Sequence, residues 1–169
     1  MDLLEPTYLA FFSRWLHVIS GIMWIGLLWY FNFVQIPSMP NIPDNEKPAI
    51  SKVIAPKALF WFRWAALATI ITGLSTAHLN GYLSSALTLG IIDGSQKSTA
   101  IGLGMWLGII MAYNVWMIIW PNQKIALGIV DANPDDKPIA ARKAMLFSRT
   151  NTALSIPMLY AMVSAQNLY

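Results

Sequence analysis

Cysteine is absent from the 169 residues. That excludes disulfides, thiolate zinc sites, iron–sulfur clusters and a covalently attached c-type haem, which needs C-x-x-C-H. Charge is scarce too. Asp, Glu, Lys and Arg make up 11% of the chain, where an ordinary soluble domain carries about 25%. No Asp or Glu falls inside a long apolar run; all lie at the N-terminus or in connections. A proton pump or cation transporter built on intramembrane carboxylates is therefore disfavoured. There is no phosphate-cradling glycine loop and no nucleophile elbow. The net charge of +3 does not point to nucleic acid, because the basic residues flank apolar runs instead of clustering on a polar domain. The opening MDLLEPT lacks the basic start of a signal peptide, and the apolar run behind it is longer than a signal core, so it is expected to be retained.

What the chain has in quantity is apolar surface. Hydrophobic residues reach 56%, with eight Trp, a side chain that favours the membrane–water boundary. The stretch FFSRWLHVISGIMWIGLLWYFNF, residues 11–33, carries one Arg and one His. At 1.5 Å per residue it covers roughly 34 Å as a helix, enough for a hydrocarbon core of about 30 Å. The pattern predicts an all-α fold, an integral membrane four-helix transmembrane bundle in a single domain, with spans at about 9–33, 57–79, 99–120 and 150–168. The lipid bilayer is thus the first expected partner.

Prolines 37, 40 and 43 favour an extended polyproline-like crossing after the first span, followed by a short helix from about Asp44 to Ile54. Pro56 is expected to open the second span and Pro121 to close the third. Asn80-Gly81 reads as a break, and the apolar stretch after it as an interfacial segment or a helix extension. Pro138 to Phe147 reads as a short basic helix along the membrane, and Pro157 as a kink in the fourth span. Nine basic residues belong to the connections 34–56 and 121–149 or border them: Lys47, Lys52, Lys57, Arg63, Lys124, Lys137, Arg142, Lys143 and Arg149. Only Arg14 and Lys97 fall on the opposite side. The bias predicts cytoplasmic connections and non-cytoplasmic termini, in a bacterial inner membrane.

Two polar groupings follow from antiparallel packing. Arg14, His17, Thr76, His78 and Lys97 share the terminal half. Asn32, Gln35, Arg63, Asn114, Asn122, Gln123, Arg149 and Asn151 share the opposite end. His17 lies on a first-span face with Ser13, Gly21, Trp24 and Leu28, which is expected to look inward. An ionisable group at that depth is a functional candidate. Neutral imidazole is a standard axial ligand of haem b, so His17 is the candidate metal ligand, with His78 as a second. Gly21 and the stripe Ala100, Gly104, Gly108, Ala112 could make room for a macrocycle, and Arg14 could meet a propionate. The plainer alternatives are a His17 bonded to a carbonyl or to Ser13, a wet His78, and a small-residue stripe that packs helices closely. Asn114 needs a partner at its depth and is expected to bond near Asn32 or Asn151; Arg63 and Arg149 either snorkel to headgroups or hold a small anion.

RWLHVISGIMWIGLLWYFNF and VIAPKALFWFRWAALATIITGL resemble segments of the membrane-bound urate oxidases, as do NVWMIIWPNQK and SRTNTALSIPM. The resemblance covers most of the chain apart from residues 79–96. It implies an integral membrane oxidoreductase that hydroxylates urate and passes electrons to a cytochrome c domain. By position it carries over His17, Arg63, Trp64, Asn114, Pro121, Asn122, Gln123, Arg149 and Asn151. With fewer spans and no Cys for a c-type haem, the chain reads as a short form of that family. The resulting expectation is a small haem-b redox protein exchanging electrons with a cytochrome or quinone. The alternatives are a non-catalytic subunit of a larger respiratory complex or homo-oligomer, and a carrier of a small urate-like anion.

Overall fold

The computed structural model describes residues 5–169. Five helices account for most of them. They are α1 (Pro6–Asn41), α2 (Ala49–Leu79), the short α3 (Leu83–Leu87), α4 (Gln96–Ala126) and α5 (Asp136–Asn167). Three of the four long helices, α1, α2 and α4, are long and apolar enough to cross a membrane. α5 is as long, but its first half carries Asp136, Lys137, Arg142, Lys143 and Arg149, and half of its buried residues are polar. The basic helix and fourth span expected on either side of residue 148 are therefore one continuous rod.

The long helices pack in the cyclic order α1, α2, α4, α5, with neighbours antiparallel. Trp24, Leu28, Phe62, Met111 and Val115 fill the centre at 2% exposure or less. Each seam also has a polar stitch. Ser13 Oγ meets Thr76 Oγ1 at 2.9 Å between α1 and α2, and Trp116 Nε1 donates to Arg63 O at 3.1 Å between α4 and α2. Trp29 Nε1 donates to Ser155 Oγ at 3.0 Å between α1 and α5. Such bonds matter in an apolar slab, where burial alone supplies little drive for one helix to find another.

Three of the expected helix ends are corrected. The chain at Pro37 and Pro40 is helical, not extended, and α2 and α4 run through Pro56 and Pro121 without stopping. The reason is local. A proline ring clashes with the carbonyl four residues earlier, here those of Phe33, Lys52 and Met117. Each falls inside a widened π-helical turn: Tyr30–Gln35, Ala49–Ile54 and Asn114–Ile119. The extra residue in each turn accommodates the ring and lets the helix continue.

Residues 80–95 form α3 and turns laid against the start of α4. Gly81 and Gly90 have positive φ, at 75° and 78°. Gly102 is where α4 touches α3; a methyl there would run into the Ala86 carbonyl oxygen. Trp106 Nε1 donates to Leu87 O at 3.0 Å and closes the contact.

Candidate functional site

His17 sits in the α1–α2 seam. The hairpin register places it opposite Thr69 and Gly73, and its Nδ1–H donates to the Thr69 carbonyl at 2.9 Å. The imidazole lies against Gly73. A Cβ at that glycine would be 2.8 Å from His17 Cε1 and 3.0 Å from Nδ1. Only a residue without a side chain admits the ring there. With Nδ1 bound as a donor, the lone pair is on Nε2, the tautomer that a metal-ligating histidine uses when its other nitrogen is held by a carbonyl. Gly73 and Thr69 escaped the sequence reading; the hairpin register of His17 against the TIITG of α2 was the available signal.

The other terminal-half candidates are arranged differently. His78 is exposed in the last turn of α2, and Arg14 reaches Asn80 Oδ1 at 3.5 Å. The glycines are occupied by packing. A Cβ at Gly21 would meet Thr69 Cγ2 at 4.0 Å, one at Gly108 would meet Ile70 Cδ1 at 3.9 Å, and one at Gly104 would lie 3.1 Å from Met162. The stripe on α4 is thus a helix-packing seam, and the room expected there for a macrocycle is filled. Trp24, buried on the His17 face of α1, keeps its Nε1–H without a partner.

At the opposite end Asn114 finds its partner in Asn151, as its depth requires. Its Nδ2 donates to Asn151 Oδ1 at 2.8 Å, and Asn151 Nδ2 donates to Met111 O at 2.9 Å. Asn32 Nδ2 donates to Leu28 O and to Ser148 Oγ, at 2.9 and 2.7 Å. Asn122 is spent on its own helix, donating to Ile118 O at 2.7 Å. Arg149 is exposed. Arg63 lies flat on Trp120, with Cζ 3.8 Å from the ring centre. The cluster therefore divides into a buried amide pair, a stacked arginine and a surface arginine; the two arginines do not converge.

A cavity of about 260 Å³ opens beside them. Phe31, Gln35, Ser51, Phe62, Gln123 and Ser148 are among its walls. All three π-helical turns contribute, through Phe31 and Gln35, Ile50 and Ser51, and Ile119. Gln35 Oε1 and Asn32 Oδ1 are buried acceptors without a donor. Arg63 and Arg149 do not line the cavity. No group of three or more His, Cys, Asp or Glu that could hold a metal ion occurs among the described residues.

Residues 93–168 match the family model described as urate oxidase N-terminal. They take in α4 and α5, and with them Asn114, Asn122, Gln123, Arg149 and Asn151; His17 lies in the half outside the match. No curated protein and no solved structure matches the chain.

Proposed function

We propose, on the premise of that urate oxidase N-terminal segment, that the chain is a four-span membrane redox domain holding haem b through His17. The observation that carries this is the His17 unit: Nδ1 donates to Thr69 O at 2.9 Å, and the ring is seated on Gly73. The imidazole is held in the tautomer that leaves Nε2 free to coordinate, which suits an iron ligand, while the space beside the α4 glycines is taken by Ile70 and Met162. Bound there, haem b would supply one-electron transfer. His78 is exposed, so His17 is the histidine that would hold the group.

The residues around His17 have separate tasks. Thr69 fixes the tautomer through its carbonyl. Gly73 lets the ring lie close, and Ser13 with Thr76 ties the two helices one turn away. Electrons would pass to or from a separate cytochrome or quinone. In this reading the connections carrying most of the basic residues face the cytoplasm and the termini face away. The test is a comparison of variants. His17→Ala should lose the Soret band of detergent-purified protein, and His78→Ala should keep it. Equal spectra for His17→Ala and wild type would refute the assignment.

A second reading has its own support in the cavity. The donorless Gln35 Oε1 in the wall of a largely apolar space of about 260 Å³, with Gln123, Ser51 and Ser148 also lining it, suits a small molecule carrying N–H or O–H donors. As a carrier the protein would bind it through Gln35 and Gln123, not through an arginine clamp. Gln35→Leu should then abolish binding and leave any haem spectrum untouched.

A further inference from the structure

Arg63 is a cation without a counter-charge. Its Nε and Nη1 are fully buried and donate to nothing. Its guanidinium is pressed on Trp120 at 3.8 Å and lies 5.5 Å from the Phe60 ring centre and 6.0 Å from that of Trp116. Lys124 approaches the same indole, with Nζ 5.8 Å from the ring centre. Two cations therefore flank one tryptophan. The single salt bridge among the described residues joins Asp44 to Lys47, elsewhere in the chain. Cation–π contact orients a guanidinium but does not neutralise it or satisfy its N–H donors. Buried donors of a charged group cost more unpaired than neutral ones.

The surroundings indicate where the missing acceptor comes from. Phe60, Trp61 and Trp64 are exposed on the same turns of α2, a face suited to lipid. Tryptophan with Arg and Lys near a helix end marks headgroup depth. Arg63 lies in an apolar helix, while Lys124 is in the last turns of α4. An acceptor reaching both must sit at the membrane surface and extend inward. We propose that Arg63, Trp120 and Lys124 form a binding site for the phosphate of an anionic phospholipid, in the leaflet at the end holding the α1–α2 and α4–α5 connections. The phosphate oxygens would accept from Nη2, the guanidinium nitrogen that is not enclosed, and from the Lys124 ammonium, and the acyl chains would lie along Phe60 and Trp64.

The experiment reconstitutes the full chain in nanodiscs of equal phosphatidylglycerol and phosphatidylcholine and measures retained lipid by native mass spectrometry. Each basic residue near an anionic surface is worth about fivefold. Phosphatidylglycerol should be retained on the order of tenfold or more over phosphatidylcholine. Arg63→Met, which keeps an apolar stem on Trp120, should lose about fivefold, and Lys124→Gln a similar factor. Equal retention of the two lipids would overturn the proposal, as would an unchanged preference in Arg63→Met. Displacement of phosphatidylglycerol by millimolar inorganic phosphate would also overturn it, making the site one for small anions. If Arg63→Met does not fold, the wild-type ratio and Lys124→Gln decide.

Discussion

Gly73→Ala gives a direct handle on the His17 unit. The added methyl would sit 2.8 Å from His17 Cε1 and 3.0 Å from Nδ1. Comfortable carbon–carbon contact is about 3.5–4.0 Å, so the imidazole must retreat by roughly 0.7 Å or more. The bond to Thr69 O is already 2.9 Å long, and such a retreat takes it past the useful limit of about 3.2 Å. Overpacking costs about 1–3 kcal/mol and the lost hydrogen bond about 1 kcal/mol. The expected destabilisation is therefore about 2–4 kcal/mol. Freeing the second ring nitrogen should also weaken retention of an axially bound haem, by about 10–100-fold as for other outer-shell losses. Two assays read this: reversible unfolding in mixed detergent micelles, and haem retained per chain during gel filtration. Gly26→Ala is the control, because nothing lies within 4 Å of a Cβ at that glycine. If Gly73→Ala matches wild type in both assays, His17 is not seated as described.

Other consequences can be checked separately. In a double-mutant cycle of Asn114→Ala and Asn151→Ala, unfolding should show a coupling of about 0.6 kcal/mol, at most about 1.7 kcal/mol; strict additivity would remove the amide pair from the account. Gly102→Ala should cost about 1–3 kcal/mol, because the obstacle is the Ala86 backbone carbonyl and not a flexible side chain; a neutral result would show that α3 does not press on α4. The Ser98 hydroxyl and then the Ser95 amide hold the Asp93 carboxyl below its ordinary range. Its folded pKa is thus lower than its unfolded value of about 3.9, so its contribution is complete above about pH 5 and is lost as pH falls through the folded value. Asp93→Asn should flatten the acid side of a stability–pH curve, and a curve superimposable on wild type would contradict that.

The inward face of α1 was readable from spacing alone. Ser13, Trp24 and Leu28 are buried, and His17 and Gly21 lie in the seam with α2. Asn114 was also readable, since a buried amide in an apolar helix needs a partner and the antiparallel register offers Asn151. The helix ends were not. Pro37, Pro56 and Pro121 read as boundaries because a proline in a regular α-helix breaks it, and a widened turn leaves no simple mark in the sequence. The cavity was hidden for the same reason: its walls include residues of all three widened turns. The arginines misled in another way. Arg63 and Arg149 fall at the same end, but one is stacked on Trp120 and the other faces outward, a difference of helix face that charge counting does not see.

The central claim is that His17 holds haem b. It is tested most directly by the absorption spectrum of the detergent-purified full chain, oxidised and then dithionite-reduced, with a pyridine haemochrome assay for stoichiometry. The account predicts a b-type spectrum approaching one haem per chain. A colourless protein, even after haem supplementation during expression, would contradict it.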